Sequence, residues 1–237
     1  DLPLMAKLFR SIPNECGLIL VGDVDQLAPV EAGAPFASIV RHFLQPDYPQ
    51  LVAKLSTNRR FSGTSSIHRL CKAISSGDTA ETELLIGEEK HEDFEFLETW
   101  DDSKINQAIT DGYASLIKAK TPAEAHQAFL EFQILCPTHR GNRGVIAMNE
   151  RCQKILVNDP DLYFSGLPII IKQNDYGSEL FNGDIGIFLP TQENSDELSV
   201  WFAGNKGDYR NFSPARLPPF DLAFAMTIHR SQGSEYQ

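Results

Sequence analysis

The chain has 237 residues, enough for one large domain or two ordinary ones, and 42% of them are hydrophobic, enough for a real core. Its 21 Lys and Arg stand against 32 Asp and Glu, and the formal net charge of −11 excludes a protein that holds nucleic acid by bulk electrostatics alone. No run approaches the ~18 apolar residues that span a bilayer, no secretory leader opens the chain, and Asp1 stands where an initiating Met would, so the sequence reads as the middle of a longer cytoplasmic protein with no membrane contact.

Leu4, Met5 and Leu8 recur at helical spacing and predict a helix over residues 2–9. Residues 18–21 are an unbroken apolar run rich in branched side chains, which suits a buried parallel strand. Gly22 and Asp23 end that strand, and Gln26 follows in the polar loop. Ligands of doubly wound sheets bind at the carboxyl ends of strands, where an Asp and a Gln can orient a phosphate or a water. A plain strand-to-turn exit explains the same residues equally well. A helix over 35–44, a turn at 46–49 and a short strand over 51–55 come next, the last leaving into a polar loop at 56–60. Ser65 or Ser66 caps a further helix whose apolar stripe is Ile67, Leu70, Cys71 and Ile74. Residues 79–102 are acidic and weakly patterned apart from a short strand at 94–97, and the boundary between two lobes is expected there.

Ser103 begins a helix with Ile105, Ala108, Ile109, Leu116 and Ile117 on one face. Thr121-Pro122-Ala123-Glu124 has the form of a capping box with Pro at the first helical position. Residues 132–136 read as a buried strand running into Pro137-Thr138-His139-Arg140-Gly141, and a helix follows over 145–156. Strand, polar loop, helix and strand in alternation are the mark of an α/β sheet. From residue 167 the rhythm changes to three short strands, 168–172, 184–189 and 198–202, separated by Asn- and Gly-rich turns. The α/β pattern resumes after Pro218-Pro219, with an apolar strand that runs into Thr227-Ile228-His229-Arg230-Ser231-Gln232-Gly233-Ser234-Glu235. The four cysteines, Cys16, Cys71, Cys136 and Cys152, are far apart, and three lie on apolar stripes or strands, so buried free thiols are expected and no metal site. His139, Arg140, Arg143, Arg151 and Lys154 form a basic cluster that could line a local groove despite the acidic total.

Four segments in sequence resemble motifs of superfamily 1 helicases. Gly22-Asp23-Val24-Asp25-Gln26-Leu27 resembles the G-D-x-x-Q-L of motif III, and residues 227–235 resemble the T-x-H-K-S-Q-G-S-E of motif V. Asn58-Arg59-Arg60-Phe61 resembles the motif IV arginine, and residues 180–186 resemble an L-F-N-G-D-I-G turn. Together they look like the RecD branch, and the resemblance covers nearly the whole chain. It implies an α/β fold of two RecA-like lobes of the P-loop NTPase type, the first only partial. The first would span 1–90, the second 91–166 with 220–237, and a small SH3-like β insertion would span 167–219.

The resemblance also implies chemistry. A helicase of this kind binds ATP and Mg²⁺ between its lobes and works by positioning and charge stabilisation. The sequence contains no G-x-x-x-x-G-K-[ST], so most of the ATP and Mg²⁺ contacts would come from outside these residues. Gln26 is the candidate γ-phosphate sensor, since an amide donates to phosphate and accepts from water. Asp23 would hold the loop, Arg60 would be the arginine finger, and Gly22, Gly233 and Glu235 would line the nucleotide. Arg60 on its own reads more readily as a surface guanidinium on a turn. Thr138, His139, Arg140, Thr227, His229, Ser231 and Gln232 are the candidate DNA contacts, although Thr138, His139 and Arg140 read equally well as a solvated loop capping the next helix, and His229 on its own reads as a surface histidine. Arg230 stands where the family has Lys, so a point charge becomes a fork and its role is left open. Asn182-Gly183-Asp184 reads as a turn, and Trp201 with Phe202 as core rather than as a base-stacking platform. The partners implied are single-stranded DNA or duplex ends and the beta and gamma chains of exodeoxyribonuclease V, within an ATP-dependent 5′-to-3′ helicase acting in break repair. A non-enzymatic docking module, carried by the acidic segment, and a stand-alone RecD-like, Pif1-like or relaxase enzyme are the alternatives.

Overall fold

The computed structural model describes residues 2–26, 33–45, 47–48, 51–55, 65–88, 91–157, 163–191, 197–204, 207–234 and 236. It divides into two compact units, Asp1–Trp100 and Asp101–Gln237. Among the described residues of the first unit, regular structure is helical: α1 (Leu2–Ser11), α2 (Pro35–Phe43), α3 (Ser66–Ser76) and α4 (Thr79–Gly87). Ser65 caps α3 by accepting from the His68 amide, and Asp78 caps α4 by accepting from the Glu81 amide. Arg69 on α3 meets Glu81 on α4 at 2.6 Å, and Ala73 and Leu85 are buried.

Three strand expectations fail in this unit. Residues 18–21, 51–55 and 94–97 are all irregular. Ile19 is 87% and Val21 92% exposed. The reason is the backbone rather than the side chains. A strand exists only by pairing its amides and carbonyls with a neighbour, and the described residues of this unit form no strand to pair with. The acidic segment differs in the other direction, since its first part is helix α4 rather than a weakly patterned linker.

The second unit is α/β. Helices α5 (Asp102–Gly112), α6 (Ala114–Lys118) and α7 (Pro122–Glu131) lead to β1 (Ile134–Cys136), then α8 (Val145–Val157). The helix expected to run from Ser103 past Ile117 is broken at Tyr113, whose buried hydroxyl donates to the Phe224 carbonyl. Thr121 and Glu124 close the expected capping box at the start of α7. Strands β2 (Pro168–Ile171), β3 (Ile185–Pro190), β4 (Leu198–Ala203), β5 (Tyr209–Phe212) and β6 (Phe220–Leu222) form one antiparallel sheet in the order β5-β4-β3-β2-β6. Two of its strands, β5 and β6, lie beyond the three read from the sequence. Phe202 is buried, and Trp201 packs against the same core. The chain then returns as β7 (Ala225–Thr227), which pairs parallel with β1, Cys136 opposite Thr227.

Candidate nucleic-acid interface

Two parallel strands deliver their outgoing loops to the same end of a sheet. Because β1 and β7 are parallel and in register, the loops 137–144 and 228–234 leave side by side. The Ile228 amide donates to the Cys136 carbonyl at 3.1 Å and carries the pairing one residue past the strand end. His139, Thr227 and Arg230 thereby line one small hollow of about 60 Å³, together with Val145, Met226 and Asp221.

Two side-chain amides and a phenol fix β7 and the residue before it. Asn149 on α8 donates to the Ala225 carbonyl at 2.9 Å and accepts from the Ala225 amide at 3.0 Å, so its side chain stands in for a neighbouring strand. Gln133 donates to the Phe224 carbonyl at 2.8 Å, the same oxygen that Tyr113 reaches. Burial pushes the Tyr113 phenol well above its ordinary range, so it remains a donor. These three side chains were not among the sequence candidates. A polar residue on the apolar face of a predicted helix, as Asn149 is on α8, was the available signal.

The loops themselves divide their residues into two jobs. The hydroxyls build the loops. Thr138 donates to the Arg140 carbonyl at 2.9 Å, Thr227 accepts from the Arg230 amide at 3.2 Å, and Ser231 donates to the Ile228 carbonyl at 2.8 Å. The side chains of His139, Arg140, His229 and Gln232 lie on exposed residues. Gly144 allows the first loop to close, since a Cβ there would lie 2.6 Å from the Arg140 backbone. Gly233 has a left-handed φ of 86° in the second.

Arg230 is exposed but engaged within the protein. Its Nη2 donates to the Ile171 carbonyl at 3.0 Å and to Asn182 Oδ1 at 3.0 Å, tying the second loop to the turn after β2. Burial lowers its pKa and the Asp221 carboxylate raises it, and a guanidinium keeps its charge regardless. Asn182 is therefore a turn residue and an acceptor. Arg151, counted in the basic cluster, is held by Asp102 at 2.6 Å and Asn106 at 2.9 Å, so it binds α8 to α5. A larger hollow of about 330 Å³ lies elsewhere in this unit, between α7 and the antiparallel sheet, lined by His126, Tyr209 and Tyr236 among others. Its walls are mainly rings and aliphatic side chains.

Asp23 accepts from the Asp25 amide at 2.9 Å, so its carboxylate shapes its own loop. Gln26 is exposed. Gly22 sits against α2, where a Cβ would come within 2.9 Å of the Phe36 ring. Arg60 and Glu235 lie outside the described residues. Among the described residues, no three His, Cys, Asp or Glu side chains converge as metal ligands, and no loop cradles a phosphate. These residues do not by themselves make a magnesium-nucleotide site. The Gln26 amide suits a contact to a nucleotide held by other groups.

A parallel strand pair with polar loops at its carboxyl end, flanked by helices, defines an α/β protein, and the AAA domain family model matches residues 1–94. The chain is RecD-like. It is 32% identical to the RecBCD enzyme subunit RecD of Mycolicibacterium smegmatis over 99% of its own length and 41% of that protein's. It is 32% identical to the RecBCD enzyme subunit RecD of Haemophilus influenzae over its whole length and 44% of that relative. The ATP-dependent RecD2 DNA helicase of Deinococcus radiodurans is 25% identical over 98% of this chain and 29% of the helicase. The chain thus spans about two fifths of the length of the RecD subunits it matches.

Proposed function

We propose that the chain is part of an ATP-dependent 5′-to-3′ DNA helicase or translocase, a subunit of an exodeoxyribonuclease V complex that acts in double-strand-break repair and recombination. The observation that carries this reading is the parallel pairing of β1 with β7, which sets the loops 137–144 and 228–234 side by side. Relatives named as RecD subunits and as a RecD2 helicase support it. Single-stranded DNA would lie along the strand-end loops, with His139, Arg140, His229 and Gln232 meeting the phosphates and Thr138, Thr227 and Ser231 holding the loops in shape. ATP would be the substrate, with Mg²⁺ bound by residues outside this chain. Gln26 would touch the γ-phosphate, Asp23 would hold its loop, and Gly22, Arg60, Gly233 and Glu235 would complete the contacts. Residues 1–90 would be part of one RecA-like lobe, 91–166 with 220–237 the other, and 167–219 an SH3-like insertion. The beta and gamma chains of the complex would be its protein partners.

Two measurements test this. In the assembled complex, Gln26→Ala should lower DNA-dependent ATP turnover by about 100-fold, the scale of losing one preorganised donor, and leave DNA affinity unchanged. The 237-residue chain by itself should turn over no ATP, because it lacks a phosphate-binding loop. Sustained turnover by the chain alone would sink this assignment of roles.

The exposure of Ile19, Val21 and Leu55 favours a second, compatible role for the first unit. An apolar surface of this kind fits a protein neighbour, and association with the other subunits would be abolished by charged substitutions there.

A further inference from the structure

We infer that the turn connecting β2 and β3 carries a base-stacking platform, formed by Tyr176 and Phe181, for the DNA strand held at the strand-end loops. The inference rests on the strand-end reading given above and adds a second kind of contact to it.

Tyr176 is 78% and Phe181 44% exposed, and their rings meet edge to face with centroids 6.1 Å apart. An exposed ring on a mobile loop would signify little, but this loop is fixed at every step. Asp175 and Leu180 exchange two backbone hydrogen bonds, at 2.7 and 3.1 Å. The Asp175 carboxylate accepts from the Gly177 amide at 3.0 Å and the Ser178 hydroxyl at 2.7 Å. Leu180 is fully buried beneath the turn. Arg210 on β5 donates to the Ser178 carbonyl at 3.3 Å and the Glu179 carbonyl at 3.0 Å. The Phe181 amide donates to Asp184 at 2.7 Å and the Asn182 amide to Asn174 at 2.8 Å. The two rings are therefore held out to solvent by a preorganised frame.

That frame is continuous with the candidate interface. Asn182, next to Phe181 in the chain, accepts from Arg230 at 3.0 Å, and Arg230 belongs to the loop that follows β7. The local charge selects which part of a nucleotide fits. Asp175, Glu179 and Asp184 belong to the same turn, and their negative charge disfavours a phosphate there. A base presents an uncharged π-face, and every base has one, so stacking is tolerant of sequence. The strand's phosphates would sit at His139, Arg140 and His229 and a base on Tyr176. Trp201 and Phe202, the aromatic pair most prominent in the sequence, cannot serve, because they pack in or against the core.

The test uses the full chain and an oligothymidylate of about 15 nucleotides, within the span such sites cover, beside an oligomer of equal length with abasic positions. Tyr176→Ala should weaken oligothymidylate binding by about 5- to 150-fold, the effect of losing one stacked base. It should leave abasic binding and the salt slope unchanged, and Tyr176→Trp should restore affinity. Because Tyr176 is so exposed, its truncation leaves the fold intact, and an unchanged melting temperature checks this. His139→Ala with Arg140→Ala should instead weaken both oligomers and flatten the salt dependence. Equal binding of oligothymidylate by wild type and the Tyr176→Ala, Phe181→Ala double variant would overturn the platform and leave the strand-end reading standing. An equal loss on the abasic oligomer would also overturn it, because stacking needs a base. An unchanged salt slope in the His139, Arg140 variant would overturn the strand-end reading alone, and no oligomer binding by the wild type would overturn both.

Discussion

Asn149 illustrates how one buried side chain fixes a strand. It forms a closed pair of hydrogen bonds with the amide and carbonyl of Ala225, and it also donates to Val145 in its own helix. Removing it leaves two buried backbone groups without partners, at about 1–3 kcal/mol each. Asn149→Ala is expected to destabilise the second unit by about 2–4 kcal/mol on that scale, which urea unfolding followed at Tyr113 or Trp201 would measure. A loss below about 0.5 kcal/mol, the level of an ordinary surface change, would show that β7 does not depend on it. The cysteines divide at the same scale. Cys136 and Cys152 are buried, and burial raises both thiols, Cys152 to about 12. Cys16 and Cys71 are exposed, against the sequence expectation of buried thiols. A thiol-exchange reagent at neutral pH should therefore modify two cysteines quickly in the native chain and four after denaturation. Cys71 was misread because one apolar stripe on a helix does not say how much of that stripe a neighbour covers.

The loop between β1 and α8 shows how an element is aimed. The Val145 amide donates to the Thr138 carbonyl at 3.1 Å and the Ile146 amide to the His139 carbonyl at 3.3 Å, so the loop is stitched to the helix it precedes. Gly144 makes that stitching possible, because its missing Cβ is where the Arg140 backbone passes. Gly144→Ala should push Arg140 aside. The expected result is single-stranded DNA affinity lowered about 10-fold, comparable to losing a phosphate contact, with a small loss of stability. Titration of a labelled oligonucleotide at two salt concentrations reads both quantities, and wild-type affinity would mean that Arg140 is not placed by this close approach. Elements of this kind were legible in the sequence where the signal was local. The capping box at Thr121 and the Ser65 cap depend on residues three apart, and the polar exits after 136 and 227 depend on where an apolar run stops. The irregular 18–21 segment was not legible, because pairing partners decide a strand.

At the scale of the whole second unit, His126 joins the helical layer to the sheet. Its Nε2 lies 3.0 Å from the Trp201 carbonyl, and its ring packs on Tyr209 at 5.3 Å. Burial lowers its pKa, against a smaller opposing effect of the Trp201 hydrogen bond. The folded state thus takes up its proton less readily than the unfolded chain, where the imidazole titrates near ~6.5. Its contribution to stability is complete above that pH and is lost as the pH falls through the lower, folded value. The melting temperature of the second unit should therefore drop between about pH 7 and 5, and His126→Gln should flatten the drop. Equal pH profiles for the two chains would remove His126 as the cause. Asp175 also has a lowered pKa, chiefly from the Ser178 hydroxyl, and its effect belongs to more acidic solutions.

Hydrophobic rhythm, caps and glycines are properties of neighbouring residues, and they determined most helices apart from α4 and the break at Tyr113, most strands of the second unit and the loops that follow β1 and β7. The sequence motifs likewise determined the RecD likeness. Tertiary structure decided what depends on partners distant in the chain. It engaged the loop hydroxyls with their own backbone, committed Arg151 to α5 and Arg230 to the β2–β3 turn, and buried Phe202 while leaving Tyr176 and Phe181 in solvent. A side chain's chemistry is written in its own letter, but whether that chemistry faces solvent or another side chain depends on which distant segments fold against it.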